Sequence, residues 1–431
     1  MDLSNVGEQM RIVWIFFIFT LYIHAQTIKD VVKKGIAYSP RIKVLVRDYE
    51  IAMKDMEIAR ATYRPTLDIS GFMGKEKTRT PANLGASNQY TVKSIALSGK
   101  YNLFSGFKQE YLLKEKRSSV KLAENKLKEA IIQISKEIAV AYIDVLKKYK
   151  IYRKHKKNLV NYRNTLKKVA YKIQDGGGRD SDFFQTKSRM NYEEMNLITA
   201  KQAYEDARII LAKYIHEVLD IKKMREPKLN KKFVLNSLIR KTKKYNASLG
   251  NLVMQKEIAT YITAQQKSNL YPVVDLEVSK NWASNQHGIL GVDQSDRIGI
   301  NLKYNIYSGG TDQFNIEKAK LQTLKMADSL KDAQNEIINN LKRNYSNYSM
   351  YKKKLSAINA HIRNAKKTEY LYRKEEEETG ERSIIDILNI QQEYNSAEID
   401  KIDTQYTIKQ FYFEFLANTS EILDYFGIRK K

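Results

Sequence analysis

The sequence predicts a mixed α+β chain in which short amphipathic strands alternate with very long helices, the whole plan occurring twice. Three observations predict it. Arg297 to Gly310, RIGINLKYNIYSGG, sets Ile298, Ile300, Leu302, Tyr304 and Ile306 against Arg297, Gly299, Asn301, Lys303 and Asn305. Period-two alternation of this kind gives a strand with one apolar face and one that tolerates water. Lys100 to Phe107, KYNLFSGF, repeats the same junction, so that Tyr101-Asn102-Leu103-Phe104-Ser105-Gly106 answers Tyr304-Asn305-Ile306-Tyr307-Ser308-Gly309. A long proline-free helical pattern follows each junction.

Composition bounds the function. The chain has 431 residues, enough to bury a large core, and only five prolines and 18 glycines, which favours long uninterrupted elements. It has no cysteine, which excludes disulfides, thiolate metal sites and a cysteine nucleophile. The formal net charge of +26 suits nucleic acid, an anionic membrane surface or acidic cargo without choosing among them.

At the N-terminus, Arg11, the apolar run Ile12 to Ile23 and then His24-Ala25-Gln26 have the order of a secretory signal. Residues 1–25 are therefore expected to be a signal peptide, with Met10 an alternative start. The run falls short of the roughly 20 residues of a membrane span. No later stretch approaches that length, so insertion into a membrane must use β-strands.

The elements follow in order. Thr27 to Tyr38 and Arg41 to about Tyr63 read as helices, the second stopped before Pro65. Strands are expected at about 67–75 and 91–104, joined by a turn-rich loop containing Pro81 and Gly85. From Ser105 to about Gln174, Leu127, Ile131, Ile134, Ile138, Ala141 and Val145 step by 4 and 3, the seam of a coiled coil. About 70 residues rising about 1.5 Å each make a helix near 100 Å long. Asp175-Gly176-Gly177-Gly178 ends it, and a helix returns to about His216.

After a link containing Pro227 the plan repeats. A helix runs from Tyr245 to Asn269, and strands are expected at about 273–283 and 296–307. A helix then runs from Thr311 to about Arg373 with a seam through Leu341, Tyr345, Tyr348, Tyr351, Leu355, Ile358 and Ile362. Thr379-Gly380 breaks it, and Ser383 caps the last helix, to about Leu416. Pro65-Thr66-Leu67-Asp68-Ile69 matches Pro272-Val273-Val274-Asp275-Leu276. Asp182 and Asp386 each stand six residues past a tip glycine, Gly176 and Gly380. The chain thus divides into a signal (1–25), a first repeat (26–221), a linker or equatorial segment (222–245), a second repeat (246–418) and a C-terminal tail (419–431).

Four strands with one apolar face make a sheet that cannot close alone, and a sheet spanning a membrane must have no free edge. Two chains give eight strands, a barrel filled by its own side chains; three give twelve, wide enough for water. The alternative is an exported coiled-coil scaffold or adhesin without a pore, which has no need for an apolar strand face.

The ordered set formed by the two-fold repeat, the step Tyr271 to Leu276, the exit Asn305 to Gly310 and the tip GERSIIDILNIQQ (Gly380 to Gln392) resembles the TolC family of outer-membrane efflux and secretion ducts. The resemblance runs from about Thr27 to Asn418. It implies a membrane protein of mixed α+β class: a homotrimer with a 12-stranded β-barrel, four strands per chain, continued by a helical coiled-coil tunnel. Such a duct lies in the bacterial outer membrane and extends into the periplasm. It serves efflux or type I secretion with a periplasmic adaptor protein and an inner-membrane efflux pump or ABC transporter. No cofactor, nucleic-acid partner or enzymatic activity is implied.

The resemblance also assigns a periplasmic entrance at the tips. Asp386 matches the first of two acidic tip positions, and the second is Asn389. Arg382 matches the tip arginine and Asp182 an acid it engages on a neighbouring hairpin. The tyrosine expected three residues before the tip glycine is instead Glu377. Helix capping by Asp182 and Asp386, both in a first helical turn, is compatible with gating.

Other chemistry finds no support in the residues. The histidines, at 24, 155, 216, 287 and 361, show no ligand spacing, and Gly176-Gly177-Gly178 lacks the Gly-Lys-Ser/Thr of a phosphate loop. Lys147 to Lys172 holds eleven basic residues with no acid between them and tyrosines interleaved. Export argues against nucleic acid there, leaving a solvated helix face, an adaptor-docking surface or contact with an acidic polymer.

Overall fold

The computed structural model describes residues 27–79, 87–286, 290–380 and 382–428; the expected signal peptide and most of the Pro81/Gly85 loop lie outside them. Four strands, β1 (Thr66–Arg79), β2 (Ser87–Phe104), β3 (Val273–Ser284) and β4 (Val292–Lys303), form one antiparallel sheet in the order β1-β2-β3-β4. The two hairpins, one per repeat, meet where β2 pairs with β3.

Register settles the faces. Leu67 lies opposite Gly99, Gly99 opposite Val278, and Val278 opposite Ile298. The neighbouring rows align Tyr101, Leu276 and Ile300, then Val274 and Leu302. Side chains across a sheet share a face with their partners, so one apolar face runs over all four strands. The opposite face carries Asp68, Ser70, Lys100, Asn102, Asp275, Glu277 and Asn301. There the Lys100 ammonium pairs with Asp275 at 2.7 Å, and Asn301 donates to Glu277 at 3.2 Å. On the apolar face of β3 and β4 the band ends at an ion pair, Lys280 with Asp296, 3.3 Å apart.

Several strand limits differ from the sequence reading, β4 also beginning earlier, at Val292. β1 and β2 extend outward past the apolar band, because backbone pairing continues through Lys75, Glu76 and Lys77, where side-chain alternation no longer marks it. β4 stops at Lys303 although the alternation continues to Ile306, because β3 begins at Val273, directly after Pro272. Tyr304, Asn305 and Ile306 thus find no partner strand in the chain. Leu302 is therefore the last residue but one of β4, and Ile298 is the better marker of the middle of the apolar rows.

The helices are α1 (Ile28–Tyr38), α2 (Pro40–Ala61), α3 (Lys108–Gln174), α4 (Asp180–Ile215), α5 (Leu235–Tyr245), α6 (Ala247–Ser268), α7 (Thr311–Glu378), α8 (Ile384–Asn418) and α9 (Ile422–Phe426). Among the described residues none is long and apolar enough to cross a membrane. The Tyr245–Asn269 helix of the sequence reading is α6, and α5 precedes it across a hinge at Asn246, whose side chain accepts from the Leu249 amide at 3.2 Å. Ser39 does the same between α1 and α2, accepting from the Ile42 amide at 3.4 Å. α5 is thus the counterpart of α1, and it lies inside the segment read as linker.

The core sits in a girdle at mid-length, where α1, α5, α9 and the inter-repeat link wrap the long helices. Ile138, Tyr142 and Ile143 of α3, Phe413 and Phe415 of α8, and Phe426 of α9 are fully buried there. Each contributes on the order of 1.5–3 kcal/mol by leaving water. The Tyr142 hydroxyl donates to the Arg225 carbonyl at 2.8 Å and accepts from the Arg225 amide at 2.7 Å. Two carboxylates brace the girdle. Glu226 accepts from Lys150 at 2.7 Å and also from Lys409 and Tyr406, and Glu421 holds Lys231 and Lys241. Burial alone raises the pKa of Glu226, but the hydrogen bonds from Lys150, Lys409 and Tyr406 outweigh it and hold the carboxyl at about 2.

Around the molecule, α2 and α4 pack on α3, α3 packs on α6 and α8, and these pack on α7. The chain therefore ends laterally in α2, α4 and β1 on one side and in α7 and β4 on the other. Large apolar residues stand exposed along these margins: Val44, Ile51 and Ile58 on α2, Met195 and Ile198 on α4, Phe314, Leu321 and Leu324 on α7. The seven-residue spacing on α2 is that of a coiled-coil face lacking its partner.

If the apolar strand face meets lipid, Ile298→Arg costs roughly 2–4 kcal/mol near the midplane. Gly299→Arg places the same charge on the polar face, opposite Glu277 and with open space around the new side chain. Expected is a loss of membrane-assembled, heat-modifiable protein in the first variant and near-normal assembly in the second; equal assembly of both overturns the face assignment. The girdle carries its own prediction. The Glu226 carboxyl lies below its ordinary 4.5, so its stabilisation is complete above that value and disappears as pH falls towards about 2. Glu226→Gln should lower thermal stability at neutral pH and flatten the acid limb between about pH 4.5 and 2, read by circular dichroism in detergent; an unchanged limb removes Glu226 as the brace.

Candidate functional site

The two helix hairpins end in tips that differ in chemistry. At the first, α3 closes with Gly176 at φ +78° and the Gly177 amide bonded to the Lys172 carbonyl at 3.0 Å. At the second, Thr379 ends α7 and Gly380 turns the chain at φ +66°. Only glycine adopts that backbone without strain. Ser383 then caps α8 as expected, its hydroxyl accepting from the Ile385 amide at 3.1 Å.

α7 ends in Glu375, Glu376, Glu377 and Glu378, with no basic residue in its last turn. A helix C-terminus is the negative end of the dipole, so four carboxylates there are of unfavourable sign. Among the described residues three cations answer them, one being Lys374, 3.6 Å from Glu378. Arg382 lies 2.9 Å from Glu375, with its guanidinium over the Tyr372 ring, 4.1 Å from the centroid. Lys172 of the first tip pairs with Glu376 of the second.

The residues singled out from the sequence fall into three places. Arg382 and Asp386 are neighbours, 3.6 Å apart. Asn389 lies one turn deeper in α8, accepting from Arg189 of α4 at 2.6 Å; Arg189 also donates to Gln392 at 2.7 Å and to the Leu388 carbonyl at 3.3 Å. Asp182 sits in the first turn of α4 and makes no ion pair among the described residues. Arg382 is therefore engaged, within the chain, by Glu375 and Asp386 rather than by Asp182.

Sequence reasoning missed Tyr372, Glu375, Arg189 and the Lys172–Glu376 pair. The aromatic sought at position 377 is supplied by Tyr372, from the same face of α7 as Glu375, one turn on. That i, i+3 spacing, ten and seven residues before Arg382, was the available signal.

Among the described residues, five of the eleven basic residues in the α3 run, Lys147, Lys150, Lys154, Arg163 and Lys172, reach acids on other segments of the chain. Lys147 pairs with Asp403 at 3.3 Å and Lys154 with Glu398, which also accepts from Tyr394 at 2.9 Å. Burial raises the Glu398 pKa, and the hydrogen bond from Lys154 reverses this, leaving the carboxyl below its ordinary value. His155 meets Glu193 of α4 at 2.9 Å, and Arg163 reaches Glu194 at 3.7 Å. Eight of the eleven, among them Lys156, Lys157, Lys167 and Lys168, are exposed, so the run also forms a solvated face of the expected kind. No group of metal-ligating side chains occurs among the described residues.

Solved structures similar to this fold include the CmeC outer membrane channel of Campylobacter jejuni, with TM-score 0.77 and 16% identity over 91% of this chain and 85% of that one. The outer membrane protein VceC of Vibrio cholerae matches with TM-score 0.77 and 14% identity over 93% and 96%. The open-state MtrE channel of Neisseria gonorrhoeae matches with TM-score 0.76 and 15% identity over 91% and 88%. At such identities they establish the fold. No curated protein matches the sequence. The family model described as outer membrane efflux protein matches residues 32–215 and 238–412, that is, both repeats. Four strands with one apolar face, long helix hairpins and a match over most of the length agree: the chain belongs to the outer membrane efflux protein family.

Proposed function

We propose that three copies of this chain form a passive exit duct through the outer membrane, with a twelve-stranded barrel and a helical tunnel reaching into the periplasm. A periplasmic adaptor and an inner-membrane pump or ABC transporter complete the route and supply the energy. The observation that carries this reading is the apolar face running across all four strands, with both sheet edges, β1 and β4, unpaired. Such a sheet cannot sit in lipid until its edges are joined. Twelve strands leave a water-filled lumen, whereas eight are filled by side chains. The exposed apolar rows on α2 and α4 at one margin and on α7 at the other suit a head-to-tail ring, which closes without leaving a free edge. A scaffold without a pore leaves the apolar strand face unexplained.

The entrance of the duct, in this reading, is the ring of second tips. Three copies of Asp386 attract cations there and repel one another. Arg382, held by Glu375 and stacked on Tyr372, stands beside each of them, and Asp182 of a neighbouring hairpin is its proposed further partner. The Arg382 contacts are open to solvent and screened by it, so each is weak. Contacts of that kind repeated around the ring are readily reversed by a docking partner.

The detergent-purified protein should have the native mass of three chains; a stable folded monomer overturns the reading. On folded trimers in planar bilayers, Arg382→Ser should raise resting conductance. Asp386→Ala should lower cation preference without changing trimer yield. If neither conductance nor selectivity responds, these residues are helix caps and the gate lies elsewhere.

A further inference from the structure

The junction between the two repeats, inside one chain, shows how a strand leaving one repeat is joined to a strand entering the next. Lys100 of β2 pairs with Asp275 of β3 at 2.7 Å. The Asn102 amide donates to Asp275 at 2.7 Å and to the Phe104 carbonyl at 3.3 Å, spanning the point where a bulge at Leu103 shifts the register. Next to it, Gly106, at φ +63°, lies so close to the α6–β3 turn that a Cβ there would sit 2.5 Å from the Ser268 carbonyl oxygen and 2.8 Å from Tyr271.

The same residue types recur on the two free edges, where they have nothing to hold. Lys303, Asn305 and Gly309 occupy in the second repeat the places of Lys100, Asn102 and Gly106, and Asp68 after Pro65 occupies that of Asp275 after Pro272. Lys303 and Asp68 are exposed and make no ion pair among the described residues. Gly309 keeps the positive φ, +67°, yet an added Cβ would meet nothing within 4 Å. Tyr304 to Ile306 continue the strand alternation with no strand beside them.

We propose that β4 of one copy pairs antiparallel with β1 of a second copy of this chain in the register of β2 with β3. Tyr304 then lies opposite Ile69, Asn305 opposite Asp68 and Tyr307 opposite Leu67, with Ile306 as the bulged residue. Lys303 and Asn305 reach the neighbour's Asp68 as Lys100 and Asn102 reach Asp275. Gly309 receives the turn at Ala61 to Arg64 as Gly106 receives the turn at Ser268 to Tyr271. Two features not used to set this register agree with it. Carried outward, it places Arg297 opposite Glu76 and Asp296 opposite Lys77, opposite charges in both rows. It also places Leu302 opposite Gly71 and Ile300 opposite Met73, so that the apolar face crosses the seam as far as Lys75, which stands opposite Ile298. A slip of one residue would invert one of the two faces.

The inference rests on the trimeric reading, and its test separates the two. The chain has no cysteine, so introduced thiols report only on each other. Facing residues of an antiparallel pair have Cα atoms about 4.5–5.5 Å apart, inside the roughly 4.4–6.8 Å that a disulfide needs. In Asn305→Cys/Asp68→Cys, oxidised in isolated membranes, the monomer band should be lost to chains linked in twos and threes on denaturing gels. Lys303→Cys/Asp68→Cys, two residues out of register, should remain at background. A second arm uses charge: Lys303→Glu and Asp68→Lys should each lower the temperature at which trimers dissociate, and the double exchange should restore it. A folded trimer in which the register pair stays uncrosslinked, or the shifted pair links instead, overturns the register. Failure of the charge exchange to restore stability overturns the Lys303–Asp68 pairing. A folded monomer overturns the trimeric reading itself.

Discussion

A backbone amide in hydrocarbon must have a partner, and this requirement governs the chain from its strands outward. A sheet of four strands satisfies only its inner ladders, so two rows of donors and acceptors are left at β1 and β4. The cost of leaving them unpaired in lipid is several kcal/mol per group, far more than any side-chain contact on the strands. The sequence accordingly builds edges that are chemically prepared to be joined, with matching residues on each repeat. The long helices inherit the geometry. α3 and α7 leave β2 and β4 through Ser105-Gly106 and Ser308-Gly309-Gly310, so their direction is fixed by the strands that precede them.

Helices of 67 and 68 residues need lateral support, and the girdle supplies it. Most of the fully buried large side chains lie there, with rings such as Phe413 and Phe426 stacked 5.8 Å apart. Charge is arranged around this core rather than in it. Glu226 and Glu421 each gather two lysines, and Asp403 and Glu398 receive the basic run of α3. A chain of net charge +26 thereby directs its scarce carboxylates to helix-helix seams. The pairs are half exposed and individually weak; their value is to fix which helix faces which.

Much of this was legible in the sequence, because period and punctuation are local properties. The strands followed from alternation, the tips from Gly176 and Gly380, and the Ser383 cap from one hydroxyl before an apolar run. What was not legible depended on partners distant in the chain. Ile306 continues the pattern of β4, but strand status requires a neighbour, and the chain supplies none beyond Val273. α5 carries Leu235, Leu238, Ile239 and Thr242 at helical spacing, yet it lay hidden in a lysine-rich stretch after Pro227. The basic run is mostly a solvated face, but the acids that pair part of it were hidden because they lie some 30 to 256 residues away in sequence, as in Arg163–Glu194 and Lys147–Asp403. At the tip, a matching position held Glu377, and only packing revealed that Tyr372 lies under Arg382.

The gate proposed at the tips coincides with the least buried contacts of the frame. The girdle buries its aromatic residues completely, whereas the second tip is held by half-exposed ion pairs across four glutamates that oppose the dipole of α7. Local opening costs least where few apolar groups are buried and the compensating charges are wet. The same chain thus concentrates its stability at mid-length and its lability at the periplasmic end. In the gating proposed above, a partner that offers cations to Glu375 through Glu378, or carboxylates to Arg382, competes directly with the contacts across the tip, and the fully buried girdle lies far from that exchange.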